Sequence, residues 1–283
     1  MMRGLLFTGL IFLAGFSLPG CVTAPQTREI LQHPPHVREK VEIADVPYIE
    51  QSVGQCGPAT LTMALQWAGH PASIEQIAPE VMTPKKGGTL QEDMISASRR
   101  EGMMAVRIDG MESLVREIAA GHPVIVFENL GLNWYQQWHY ALIYGFDFRN
   151  QDLLQHSGHD KADHVDMSVF ERSWKLSDYW GLVILPPGEI ATAASEIENV
   201  KAAAGLEQAA HEDEAALSYH AILERWPKSL GALVGLGNIA YKKKDFKEAV
   251  SILKEAQRAH PDSEMVAHNL RVAEAATHNR GKN

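Results

Sequence analysis

The sequence predicts an α+β domain followed by an all-α helical-repeat module. Three observations carry that reading. Between Val46 and Pro187, helical patterns come first and β-forming runs afterwards, the order of an α+β domain. Pro186-Pro187-Gly188 then breaks the chain, and the composition shifts to Ala-rich helical sequence. Beyond that break the pattern repeats, with Ala215, Ile222 and Pro227 falling over Ala249, Ala256 and Pro261, a step of about 34 residues.

A chain of 283 residues with 45% hydrophobic content can bury one enzyme-sized core plus a smaller one. Its formal charge of -9 excludes a general nucleic-acid binder, which needs a concentrated excess of Lys and Arg. The N-terminus has the anatomy of an export signal: Arg3, an apolar run from Gly4 to Phe16, then Leu18-Pro19-Gly20-Cys21. That ending resembles a bacterial lipoprotein box, with residues 1–20 as the signal peptide and Cys21 as the lipidated mature N-terminus. Pro19 is an unusual residue within such a box. The resemblance implies a membrane anchor, and Val22 in place of Asp implies the outer membrane, facing the periplasm. Residues 21–45, with Pro25 and Pro34-Pro35, read as a flexible tether. The chain has two cysteines; with Cys21 carrying lipid, Cys56 has no disulfide partner and is either hidden or used.

Within residues 46–187, Gly57 to Gly69 reads as a buried helix, since Leu61, Met63, Ala64, Leu65 and Trp67 fall at mixed helical spacings before a terminal glycine. Thr89 ahead of Glu92 has capping-box spacing and opens a second helix that closes at Gly102. "MESLVREIAAGH" is a third, stopped at Gly121. "PVIVFEN", "WHYALIYGFDF", "DLLQHS" and "WGLVILPP" are rich in β-formers between turn residues and read as strands. Met94, Met103, Met104 and Met111 fall on helices or their ends as core filler. "PKKGGTL", residues 84–90, lacks phosphate-loop spacing and reads as a turn bordering a cleft.

Residues 196–277 hold the repeats. Leu236-Gly237, Ala240, Phe246, Ala249, Leu253, Ala256 and Pro261 put small residues where two helices press together and a proline at the end of the unit. The pattern resembles the tetratricopeptide signature, giving two repeats plus a capping helix. About three repeats are normally needed for independent stability, so these two are expected to lean on the first domain or on a partner.

The chemistry centres on "VPYIEQSVGQCGPATLTMAL" and "WHYALIYGFD". A cysteine acts as a nucleophile only as thiolate, which the positive end of a helix N-terminus favours. Cys56 directly precedes a helical run, with Pro58 in its first turn. Gln, then Cys-Gly-Pro-Ala, then His before an apolar strand and Gly, in that order, resembles the papain-like bacteriocin-processing (double-glycine) peptidase family. The resemblance spans roughly Val46 to Pro187. It implies a papain-like fold of helices packed on an antiparallel sheet, with Cys56 as nucleophile and His139 as proton shuttle. Gln51, with the Cys56 backbone amide, is implied as the oxyanion donor, and Gln55 is a second candidate.

The family pattern places Asp or Asn, often before Pro, on the strand after the histidine. Folding the chain back at Phe148 to Gln151 brings Ser157-Gly158 to that place. Asp147, Asp152 and Asp160 do not fit it. A serine hydroxyl can hold an imidazole but does not stabilise imidazolium as a carboxylate does.

His156, His159 and His164 in "HSGHDKADH" have irregular spacings and read as a polar loop, so no metal or nucleotide cofactor has sequence support. The expected function is an anchored exported cysteine peptidase acting on a polypeptide, with the repeats recruiting substrate or a protein partner. A catalytically weak or inactive peptide-binding scaffold and an acyl or amide transferase are the alternatives.

Overall fold

In the computed structural model, described for residues 23–51, 54–83, 88–132 and 134–280, the chain forms a helix-flanked antiparallel sheet that continues into a helical array. Its helices are α1 (Pro25–Gln32), α2 (Cys56–Trp67), α3 (Ile74–Val81), α4 (Gln91–Arg100), α5 (Gly110–Ala120) and α6 (Met167–Trp174). Five more follow: α7 (Glu196–Gln208), α8 (Glu212–Arg225), α9 (Leu230–Lys242), α10 (Phe246–Ala259) and α11 (Glu264–Arg280). The strands are β1 (Lys40–Glu42), the two-residue pair β2 (Met82–Thr83) and β3 (Gly88–Thr89), then β4 (Met104–Ile108), β5 (Val124–Asn129), β6 (Trp138–Asp147), β7 (Asp152–Ser157), β8 (Asp160–Asp166) and β9 (Gly181–Leu185).

The main sheet runs β4-β9-β5-β6-β7-β8, with β1 added on β6, and every pairing is antiparallel. Alternation along the strands divides the core between the two faces. Ile125, Tyr140, Leu142, Leu182 and Ile184 pack under α2, α3 and α4 with Leu61, Met63, Ile77 and Met94. Val124, Val126, Ala141, Ile143 and Val183 face the other way, onto Met111, Leu114 and Ile118 of α5 and Phe170 and Trp174 of α6. That second core runs unbroken into the repeats through Ala203, Leu206, Tyr219, Ile222 and Leu236.

The repeat helices pack where glycine permits. A Cβ at Gly235 would sit 2.3 Å from the Tyr219 ring, and one at Gly237 would sit 2.9 Å from Leu253. Glu117 of α5, fully buried, ties the break region to the first domain by accepting from the Ala193 amide, the Thr192 hydroxyl and His122 Nδ1 (2.6 Å).

Residues 25–43 correct the expectation of a flexible tether over 21–45. Pro25 starts α1, whose Gln26 and Thr27 amides donate to the buried Glu171 carboxylate at 3.1 and 2.7 Å. Gln26 Oε1 accepts from the Met111 amide (2.8 Å), Ile30 is buried, and β1 joins the sheet. The proline that suggested an extended chain is instead a helix start, and the partners that hold it lie far along the sequence. Three further expectations change. Met104 is on β4 rather than on a helix. "HSGHDKADH" is the β7–β8 hairpin rather than a loop. The unpredicted α6 is capped by Asp166, whose carboxylate accepts from the Ser168 and Val169 amides. Residues 1–22, with the signal peptide and Cys21, lie outside the described residues.

Candidate active site

Cys56 is the first residue of α2 and is half-buried. Gly57 admits Thr89 against the helix start, since a Cβ there would lie 2.5 Å from Thr89 Oγ1. Thr89 of β3 thus lies against the first turn of α2; residues 84–87, most of the "PKKGGTL" stretch expected to border the cleft, lie outside the described residues. The first-turn amides of a helix have no intrahelical acceptor, which leaves donors beside the thiol. α2 lies along β6. Near its start Thr60 Oγ1 donates to the Tyr140 carbonyl (3.3 Å), and at its end Trp67 meets the His122 ring at 6.1 Å. The helix start thus lies at the Trp138–Tyr140 end of the sheet.

Gln51 is buried and clamps that end shut. Its backbone amide donates to the Gly158 carbonyl (3.0 Å), its Oε1 accepts from the Gly158 amide (3.1 Å), and its Nε2 donates to Thr60 Oγ1 (3.2 Å). One Nε2 hydrogen remains beyond the one Thr60 takes. Gln55 is the residue before α2 and makes no side-chain cap bond.

His139 and Ser157 come together as the folded-back hairpin requires, with Nε2 2.9 Å from Ser157 Oγ. Burial lowers the His139 pKa, favouring the neutral ring. With Nε2 engaged by the hydroxyl, Nδ1 is left for a proton. Among the described residues no hydrogen bond joins the Cys56 thiol to His139. The thiol is instead marked by Tyr140, whose phenol is pushed up first by burial and then by the negative charge of a Cys56 thiolate, and donates to the Thr89 carbonyl at 3.3 Å. Phe127 stacks on Trp138 at 4.9 Å and meets Tyr140 at 4.5 Å, forming an aromatic wall at this end.

The carboxylates near the hairpin go elsewhere. Asp147 accepts from the Arg149 and Asn150 amides and pairs with Lys40, and Asp152 pairs with His164. Asp160 stands opposite Ser157 at the exposed β7–β8 turn. His156 is buried between Tyr144 and Tyr48, and His159 pairs with Glu50 on the surface.

Glu128 was missed. It is the direct cross-strand partner of His139, so the two side chains share a face. It is buried, receives the Ser173 hydroxyl at 2.6 Å, and burial raises its pKa to about 7. Its one sequence signal was a charge inside "PVIVFEN", an otherwise apolar strand. Glu128, Gln155 and Ser157 border a cavity of about 680 Å³ that opens past Leu132, Trp134 and Arg172.

A half-buried thiol at a helix start, an imidazole on the strand that helix lies along and a buried glutamine bonded to the same helix and to Gly158 form the layout of a papain-like fold on this antiparallel sheet. Residues 43–180 match the Peptidase_C39 like family, and residues 202–271 match the tetratricopeptide repeat: the chain carries a C39-like peptidase domain followed by a tetratricopeptide domain.

Among solved structures, the chain is similar to a C39-like peptidase from Bacillus anthracis at 19% identity and a TM-score of 0.45, over 52% of this chain and 98% of that one. It is similar to the peptidase domain of Streptococcus ComA, a bi-functional ABC transporter involved in quorum sensing, at 22% identity and a TM-score of 0.41, over 49% and 96%. A double-glycine motif protease from an AMS/PCAT transporter, solved with its leader peptide, is similar at 21% identity and a TM-score of 0.41, over 50% and 93%. No curated protein matches the chain.

Proposed function

We propose that the chain is an exported cysteine peptidase, anchored through lipid on Cys21 to the periplasmic face of the outer membrane, that cleaves a polypeptide brought to it by the repeats. The observation that carries the catalytic part is the His139 Nε2 to Ser157 Oγ hydrogen bond of 2.9 Å, which orients a half-buried imidazole that its surroundings keep neutral, at the end of the sheet where α2 begins. In the reaction the Cys56 thiol gives its proton to His139 Nδ1 and attacks the scissile carbonyl, forming the C–S bond. The oxyanion takes the Cys56 amide and the remaining Gln51 Nε2 hydrogen, each such donor contributing about 3 kcal/mol. His139 then protonates the leaving amine as the C–N bond breaks. A water, deprotonated by His139, hydrolyses the thioester. The chain's own groups supply every proton step, and no cofactor is required.

Two observations favour a second reading. The thiol and imidazole share no hydrogen bond among the described residues, and a hydroxyl stands where a carboxylate would hold imidazolium. Both features fit a peptide-binding scaffold with little turnover. Alkylation of Cys56 by iodoacetamide across pH separates the two. An activated thiol reacts fast at neutral pH and slows sharply in His139→Ala. The ordinary reactivity of a free thiol, unchanged by that substitution, would sink the peptidase reading.

A further inference from the structure

The described residues begin at Thr23, two residues past the expected anchor. Thr23 and Ala24 lie against Ser168 and Arg172 of α6, lining one cleft with Arg28. α1 is fixed to Glu171 from its first turn. From Cys21 to Ala24 the chain reaches at most about 11 Å at 3.3–3.6 Å per residue. Any lipid on Cys21 therefore holds this face of the domain at the bilayer.

That face is unusually apolar. Along α6 and just past it, Val169, Arg172 and Leu176 border the neighbouring cavity together with Leu130, Leu132 and Trp134. The apolar members are open to solvent: Trp134 is 83% exposed, Leu132 59%, Leu130 55% and Val169 50%, with Tyr135 at 61% beside them. Tyr135 and Leu132 exchange backbone hydrogen bonds of 2.9 Å, and the Trp134 ring lies 6.2 Å from that of Tyr135. Leu with Trp and Tyr is the composition that settles at a membrane interface, and Arg28 and Arg172, which line the adjoining clefts, offer charge to anionic headgroups.

We propose that the surface formed by Leu130, Leu132, Trp134, Tyr135 and the outer side of α6 is a membrane-docking face that lies on the bilayer carrying the chain's own anchor. The orientation rests on the lipid-anchor reading above. The surface also borders the cavity behind Ser157, so docking sets the mouth of that cavity at the membrane and favours substrates presented there. A groove for a soluble peptide is the competing use of the same side chains.

The test uses the mature chain from residue 21 carrying Cys21→Ser, so that no acyl chain contributes. It is sedimented with vesicles of phosphatidylethanolamine and phosphatidylglycerol. The chain is expected to partition onto the vesicles, more weakly as salt rises. The Leu132→Ser/Trp134→Ser variant is expected to lose about tenfold in partitioning, while Val272→Ser on the far helix α11 changes nothing. Matching thermal midpoints for the three proteins show that folding is intact, as expected for exposed positions.

A parent chain that ignores vesicles, or a double variant that binds them as well as the parent, overturns the proposal. So does protection of Trp134 by a glycine-rich peptide in a chain that ignores vesicles, which assigns the face to peptide. Mass spectrometry of the Cys21 peptide from cells reads lipidation separately, so failure of the anchor and failure of the docking face are distinguishable.

Discussion

Replacing Ser157 by aspartate should make Cys56 a better nucleophile. The hydroxyl now sits 2.9 Å from His139 Nε2, a neutral contact to a ring that burial already keeps neutral. A neutral hydrogen bond contributes about 0.5–1.5 kcal/mol net and one to a charged group about 1.5–3 kcal/mol, so a carboxylate there would favour imidazolium by roughly 1–2 kcal/mol. Ser157 is half-exposed beside the 680 Å³ cavity, which leaves room for the longer side chain. Glu128 and Asp163 border the same cavity and resist a further negative charge, so the low end applies: a gain of about fivefold to tenfold. Alkylation of Cys56 and peptide hydrolysis, each measured from pH 5 to 9, read the effect, with the gain largest below neutrality. Ser157→Ala should fall below the parent, and His139→Ala should abolish the gain of the aspartate variant. An aspartate variant that folds normally yet reacts at the parental rate across that range would remove Ser157 from the site.

Four other outcomes follow from burial and packing. Glu128, with its pKa raised from 4.5 to about 7, contributes its full stability below pH 4.5 and loses it as pH rises through 7; Glu128→Gln, which does not titrate, should therefore gain up to about 3 kcal/mol on the parent across that window in urea unfolding. His139 and His156 work in the opposite sense, since burial keeps both neutral and stability falls as pH drops below about 6.5. Glu171→Ala should cost about 2–5 kcal/mol by stranding the Gln26 and Thr27 amides, and limited proteolysis should then cut within residues 25–32. Gly235→Ala should cost about 1–3 kcal/mol in thermal unfolding, because its methyl would strike the Tyr219 ring.

What could be read in the sequence was local. α2, α4 and α5 showed in helical spacing and terminal glycines, and β5, β6, β7 and β9 in their β-branched and aromatic runs; the expected Thr89 cap did not form, since Thr89 lies in β3 and Leu90 precedes α4 without a side-chain cap. The fold-back at residues 148–151 is short enough that counting residues brought His139 to Ser157. What could not be read depends on partners distant in sequence. Thr27 and Glu171 are 144 residues apart, and no local pattern announces that one will pin the other. Glu128 looked like an interruption in an apolar strand because its meaning lies in register, which sets it against His139 only once β5 and β6 pair. Gln51 was found by its distance from Cys56, yet its grip on Thr60 and Gly158 appears only when α2 and β7 meet.

The two repeats bear on the same point from the other end of the chain. Alone they fall short of the three units that such arrays usually need. Here α7 packs on β4, and the core of α5 and α6 passes into α7, α8 and α9, so the first domain occupies the place of a missing neighbour. Glu117 closes the junction, a buried carboxylate satisfied by His122 from one side and by the Thr192 hydroxyl and Ala193 amide from the other. A buried carboxylate with partners both in the first domain and in the connection that leads to α7 resists that connection's being pulled away, because parting them would strand it. The repeats are therefore best regarded as a fixed extension of the sheet's far layer. Whatever binds α10 and α11 is held at a set distance and angle from Cys56.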